Sequence, residues 1–216
     1  ALFDEALSLL AATNFPLIPV HTNARLRREA GTQAFISLYG NYAAQGILRT
    51  SSGFYFTNNS PVLAHPGEAT AAHRKGKPFR AAQADITRAL EDAVHVTRTK
   101  IPVNELADDP VGQFLFKEEA GPYADFLLRH TDIREIPIRG SLAEGEADQL
   151  WFGWLGGGSG LGGGRGLLYV GRMRGVREVG AAPNSELYSP AQIAAAFREK
   201  KIKGLERVLE ALRKGK

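Results

Sequence analysis

Asp108 and Asp109 stand side by side before Pro110, the residue types that metal-assisted or acid–base cleavage of a phosphodiester would need. His95, upstream, is a candidate base for the same reaction. Adjacent aspartates before a proline also make an Asx turn, and that is the expected reading. The other histidines, His21, His65, His73 and His130, are scattered and form no H-E-x-x-H or other compact ligand pattern. With no cysteine in the chain, thiolate sites and disulfides are excluded. Neither a metal nor a cofactor is expected. Ser159 lies among glycines without the G-x-S-x-G spacing of a hydrolase elbow.

The densest feature is the run Gly156 to Gly166, in which only Ser159, Leu161 and Arg165 are not glycine. Three readings are open: a floppy hairpin tip, a nucleotide-binding loop, or a surface that another backbone approaches closely. Gly158, Gly160 and Gly163 satisfy G-x-G-x-x-G, but "LLYVGRM" comes next where the dinucleotide fingerprint needs a helix. No Lys-Ser or Lys-Thr pair succeeds it either, which disfavours the phosphate loop of NTPases.

The elements that must position these residues are partly legible. Phe3, Ala6, Leu7 and Leu10 recur at helical spacing, predicting a helix over 2–12. "FPLIPVHT" reads as extended. Asn23 is the expected cap of a helix running to Gly40, with Leu26, Ala30 and Ala34 on its apolar side, Leu38 nearby, and Arg25 and Arg28 outside the core. Residues 45–82 read as an inserted lobe, dense in turn formers. "AAQADITRALEDAV" and "PYADFLLRH" read as helices; "HVTRTKIPV", "GQFLFKEE", "IREIPIRG" and "LWFGWL" read as strands, the last opening a glycine hairpin. Ser189, Pro190 and Gln192 predict a final helix with an apolar stripe of Ile193, Phe197, Leu205, Val208 and Leu212, and a kink at Gly204. Mixed strands and helices without a βα repeat place the chain in the α+β class, as one domain over 1–216.

Hydrophobic residues make up 44% of the 216 and charged residues 23%, the balance of a globule with a real core. The net charge of +4 is concentrated at 198–216, where eight Lys/Arg meet three Glu. Smaller basic clusters occur at 24–28 and 73–80. Such clusters suit phosphate contacts or simply solvated faces. A cytoplasmic location is expected, since no apolar run approaches a membrane span and the start carries Asp4 and Glu5 without a basic leader. The first residue is not Met, so the true beginning is expected to precede this chain.

Taken together, "TNARLRREAG", "HVTRTKIPVNELADDPVGQFLFKEE" and the late glycine run resemble, in their order, the RAMP superfamily of CRISPR-associated proteins, with type IV complexes the most similar in look. The resemblance spans roughly residues 16 to 172. It implies an RRM-like, ferredoxin-like palm with an antiparallel sheet, an inserted thumb at about 45–82 and a C-terminal helix. It further implies a backbone subunit that holds guide RNA and forms a head-to-tail filament with copies of itself. Other CRISPR effector subunits, and a target nucleic acid paired to the guide, would be its partners. Asn23, Arg25, Arg27 and Arg28 match the basic helix start. Thr97, Arg98 and Lys100 with Ile101 match the middle strand, and Leu115, Phe116 and Glu118 or Glu119 its end. Gly162, Gly163 and Arg165 match the late loop. Phe54, Tyr55 and Phe56 are the expected base wedges of the thumb. A ribonuclease using Asp108, Asp109 or His95, and an unrelated α+β interaction domain with a basic tail, are the alternatives.

Overall fold

The computed structural model describes residues 3–12 and 15–163. Arg165, the expected helix from Ser189 and the basic tail lie outside the described residues.

The chain opens with helix α1 (Phe3–Ala12). Then come α2 (Val20–Ala30) and the single turn α3 (Phe35–Leu38). Strands β1 (Asn41–Thr50) and β2 (Gly53–Thr57) form a hairpin. Thr50 pairs with Gly53 across the two-residue turn Ser51–Ser52, and Gly53, the first residue of β2, takes a φ of 151° that side-chain-bearing residues rarely adopt. Next are α4 (Pro61–Ala64), α5 (Pro66–Arg74), β3 (Phe79–Arg80), α6 (Gln83–Glu91), β4 (Ala93–His95) and β5 (Lys100–Pro102). The last described part comprises α7 (Pro110–Phe116), α8 (Ala120–His130), β6 (Glu135–Arg139), β7 (Glu146–Phe152) and β8 (Leu161–Gly162).

The strands form one sheet in the order β4-β2-β1-β7-β8-β6-β5, with β3 also on β7. Most pairs are antiparallel, but β6 and β8 run parallel, so the sheet is mixed. Both faces are covered. Ala43, Ile47, Leu150 and Phe152 pack with Ala24, Leu115, Phe116 and Tyr123 of α2, α7 and α8. On the other side Tyr42, Leu48, Ala147 and Trp151 meet Phe3, Val62, Ala69 and Ala89 of α1, α4, α5 and α6. The α+β class therefore holds, while the RRM-like, ferredoxin-like palm does not. That palm is a small, wholly antiparallel sheet with one open face, whereas here β1 and β7 are buried on both sides. Residues 45–82, expected as an inserted lobe, run through β1, β2, α4, α5 and β3, and β1 is a central strand of the sheet.

Two further expectations change for local reasons. Helix α2 starts at Val20 with Pro19 at its cap, not at Asn23, and it ends at Gly31, whose φ is 84°. Its buried face is Val20, Asn23, Ala24 and Arg27, while Ala30 and Leu38 are exposed. The segment "GQFLFKEE" lies in α7 and the 3₁₀ turn Lys117–Glu119, not in a strand. Asp109 caps that helix, its Oδ1 accepting from Val111 N at 2.8 Å and Gly112 N at 3.2 Å, and Pro110 occupies the first turn. The pair Asp108–Asp109 is thus a helix start. Replacing Asp109 by Ala should cost about 1–2 kcal/mol in urea denaturation. Asp108→Ala, at an exposed neighbour, should stay within about 0.5 kcal/mol of the parent.

Candidate functional site

A buried cation organises the end of β7. Arg27 is fully buried, and its Nη1 donates to Gly153 O at 2.6 Å and its Nη2 to Phe152 O at 3.4 Å. Its guanidinium carbon lies 4.0 Å over the centre of the Phe152 ring, a cation–π contact. No carboxylate pairs with it among the described residues, and its Nε has no partner there. Burial lowers its pKa from the usual arginine value, and the Tyr123 phenol beside it acts in the opposite direction. Arginine nonetheless stays charged, so the wall behind Gly153 is positive.

From this anchor the chain enters the glycine run, whose described part extends to Gly163. Gly153 N donates to Gly160 O at 2.7 Å, Gly158 N to Leu155 O at 2.9 Å and Ser159 N to Trp154 O at 3.1 Å. Ser159 adopts φ 52°, a left-handed conformation uncommon for a residue with a side chain. It is held there by a fully buried hydroxyl bond to Tyr123 of α8, Oγ to Oη 2.8 Å. Of the three readings of the run, close approach describes this part. A Cβ on Gly162 would fall 2.6 Å from Arg139 O, so glycine lets β8 lie against β6. The backbone that approaches is the protein's own.

Between this loop and β6 lies a cleft of about 200 Å³, lined by Arg139, Trp151, Trp154, Gly157, Gly160 and Gly163 among others. Arg139 is exposed and makes no ion pair among the described residues. The Trp154 indole packs across Gly156 and Gly157, where a Cβ would come within 3.1 Å of it. The cleft therefore offers aromatic rings, a cation and a lining in which five of nine residues are glycine. Its volume is below the roughly 300–1,000 Å³ of drug-sized clefts, a fit for one ring-bearing residue of a larger ligand.

The residues expected to bind RNA do not gather at one surface. Asn23 is buried and donates from Nδ2 to Asn41 Oδ1 at 2.7 Å. Arg28 forks onto Glu119, Nε to Oε2 3.2 Å and Nη2 to Oε1 3.4 Å. Arg98 pairs with Glu105 at 2.9 Å and Asp109 at 3.5 Å, and Lys100 with Glu135 at 2.7 Å. Thr97 and Arg25 are exposed. Gly162 and Gly163 belong to the cleft region, Gly162 through a buried β8. As for the expected wedges, Phe56 is in the core, Phe54 packs edge-on against it at 5.7 Å, and Tyr55 stacks on His95 at 4.9 Å. Sequence reasoning misses Arg139 and the role of Arg27. Their only signals are an arginine at a strand end and an arginine on the apolar side of a helix.

No family model and no curated protein matches the chain. A solved structure concerning the accommodation of massive sequence variation in Nanoarchaeota by the C-type lectin fold is similar, with 16% identity, 74% of this chain and 88% of that chain covered, and a TM-score of 0.55. At that identity the likeness speaks for the fold alone. The class is an α+β domain similar to the C-type lectin fold, which replaces the RRM-like palm. Among the described residues no helix is long and apolar enough to cross a membrane, and no group of three His, Asp or Glu side chains is placed to hold a metal.

Both the buried hydroxyl bond and His21 can be tested by denaturation. Tyr123→Phe and Ser159→Ala should each cost about 1–2 kcal/mol, and the double variant less than their sum, with a coupling near 1 kcal/mol in urea denaturation. The His21 pKa is lowered from 6.5 by burial first and by Lys117 next, with Glu118 opposing. The folded state therefore takes up the proton less readily than the unfolded chain. Stability contributed by neutral His21 is complete above pH 6.5 and is lost as the pH falls below it. The denaturation midpoint of His21→Gln should accordingly fall less than the parent's between pH 7.5 and pH 5.5.

Proposed function

We propose that this protein is a non-catalytic binding domain that holds single-stranded RNA, one nucleotide seated in the glycine-walled cleft. The observation that carries the reading is that Trp154 and Arg139 both line one cleft whose other lining residues are mostly glycines. A base stacks on the indole, a phosphate reaches the guanidinium, and the missing Cβ atoms let ribose approach the main chain. Arg27, which meets no carboxylate among the described residues, adds positive potential behind Gly153. Such contacts track the RNA backbone and tolerate any base. Service as a guide-RNA backbone subunit, with further copies and other CRISPR effector subunits as partners, rests on the sequence motifs alone.

The arginines of α2 do not test this reading. Reversing Arg25, Arg27 and Arg28 together would break the fold at Arg27 and report on stability. Arg139→Glu and Trp154→Ala are the informative variants. With a fluorescent single-stranded RNA, each should weaken binding about tenfold or more, and Arg139→Glu should lower the slope of log affinity against log salt by about one. Parent-like RNA affinity in both folded variants, or a parent that binds neutral glycans and no RNA, would overturn the reading.

A further inference from the structure

We propose that the basic turn Arg74–Lys77 is a second phosphate-binding surface, which holds the backbone of the same RNA strand a few nucleotides beyond the cleft. This rests on the RNA reading of the cleft. No acidic residue occurs between Glu68 and Asp85, whereas Arg74, Lys75, Lys77 and Arg80 all fall in that stretch. Arg80 is paired with Glu146, 3.8 Å away on the neighbouring strand β7. Arg74, Lys75 and Lys77 are exposed and form no ion pair among the described residues. Arg28, Arg88, Arg98, Lys100 and Arg129, by contrast, each have a carboxylate. Three unpaired cations within four residues concentrate positive potential, and a polyanion that neutralises them releases its own counterions.

The turn has a fixed shape. Lys77 N donates to Ala72 O at 3.1 Å and Gly76 N to His73 O at 3.0 Å, with Gly76 at φ 66°, the glycine-terminated helix end that satisfies the last carbonyls of α5. On either side Ala69 and Thr70 of α5 and Phe79 of β3 are buried. The cations therefore stand on an ordered backbone, and binding costs only side-chain freedom. Sheet register relates the turn to the cleft. Ala147 pairs with Leu48 of β1 and Phe79 of β3, while Trp151 pairs with Tyr42 of β1 and Gly162 of β8. With β1 along one edge of β7, β3 and β8 follow one another along the other. Four residues of β7 separate Ala147 from Trp151, about 13 Å of strand. Because β3 runs antiparallel to β7, the chain reaches Phe79 from the β8 side, through Lys77 and Pro78. Trp151 and Gly162 line the cleft, so a strand seated there and led along this edge of β7 meets the turn after a few nucleotides. Contacts to phosphates lengthen the footprint without imposing sequence.

Arg74→Gln, Lys75→Gln and Lys77→Gln combined test this without disturbing the core, since all three side chains are exposed. Affinity for a fluorescent single-stranded RNA of about a dozen nucleotides is measured across a salt series for the parent, this triple variant and Arg139→Glu. The triple variant should lower the slope of log affinity against log salt by about two, since each phosphate contact on a single strand contributes about 0.7. Lys117→Gln, Arg129→Gln and Arg134→Gln combined remove the same charge from exposed positions on and beside α7 and α8, which cover the opposite face of the sheet from α5. That control should keep a slope close to the parent's. A slope unchanged in the first triple variant, while Arg139→Glu still weakens binding, overturns the turn alone and leaves the cleft standing. An equal drop in both triple variants assigns the effect to net charge and overturns the turn as well. A parent that binds no RNA overturns both, and one that instead binds anionic phospholipid vesicles through these three cations assigns the turn to a membrane surface.

Discussion

A guanidinium sealed inside a protein must find acceptors, because leaving a charge buried without them costs several kcal/mol. Arg27 finds two carbonyls, Phe152 O and Gly153 O, and the face of the Phe152 ring. Those carbonyls end β7, so α2 is tied to the point where the central strand gives way to the glycine run. The strand cannot slip by one residue without stranding the charge, and a one-residue slip would also exchange Trp151 and Phe152 between the two cores. Arg27 therefore sets a register as much as it adds stability.

The loop beyond β7 depends on that register. On composition alone the glycine run could be loose, since each glycine ordered costs more backbone entropy than any other residue. Order is imposed from outside the run, by Tyr123 on Ser159 and by the pairing of Gly153 with Gly160. Once held, the same glycines become an asset, for a wall without Cβ atoms is one that β6 or a ligand can approach. The cleft is thus a by-product of how tightly β6, β8 and the loop pack, with Arg139 left at its rim.

Some of this is legible in the residues. The periodic stripe of Phe3 and Leu7, the helical "QADITRALE" and the alternating "IREIPIR" all occur where local pattern places them, because their spacing alone puts the apolar residues on one face of a helix or strand. The Asx signature of Asp108–Asp109–Pro110 is sound as well, although the alternation of Phe114 and Phe116 points to a strand where the helix lies. A cap and a first-turn proline outweigh two aromatic rings. Binding roles for Arg28, Arg98 and Lys100 rest on charge, and charge does not reveal its partner. Their partners Glu119, Glu105 and Glu135 include residues far away in the chain.

By itself the sequence determined the α+β class, several helices and strands, and the glycine-rich character of the late loop, all consequences of local spacing and backbone freedom. Tertiary structure alone decided the mixed sheet with both faces covered, the burial of Arg27 and the exposure of Arg139. It also decided the closure of the glycine loop onto Tyr123. Each of these turns on contacts between residues distant in sequence. Two arginines identical in type differ only in what the fold sets against them, one against carbonyls and a ring, the other against an open cleft.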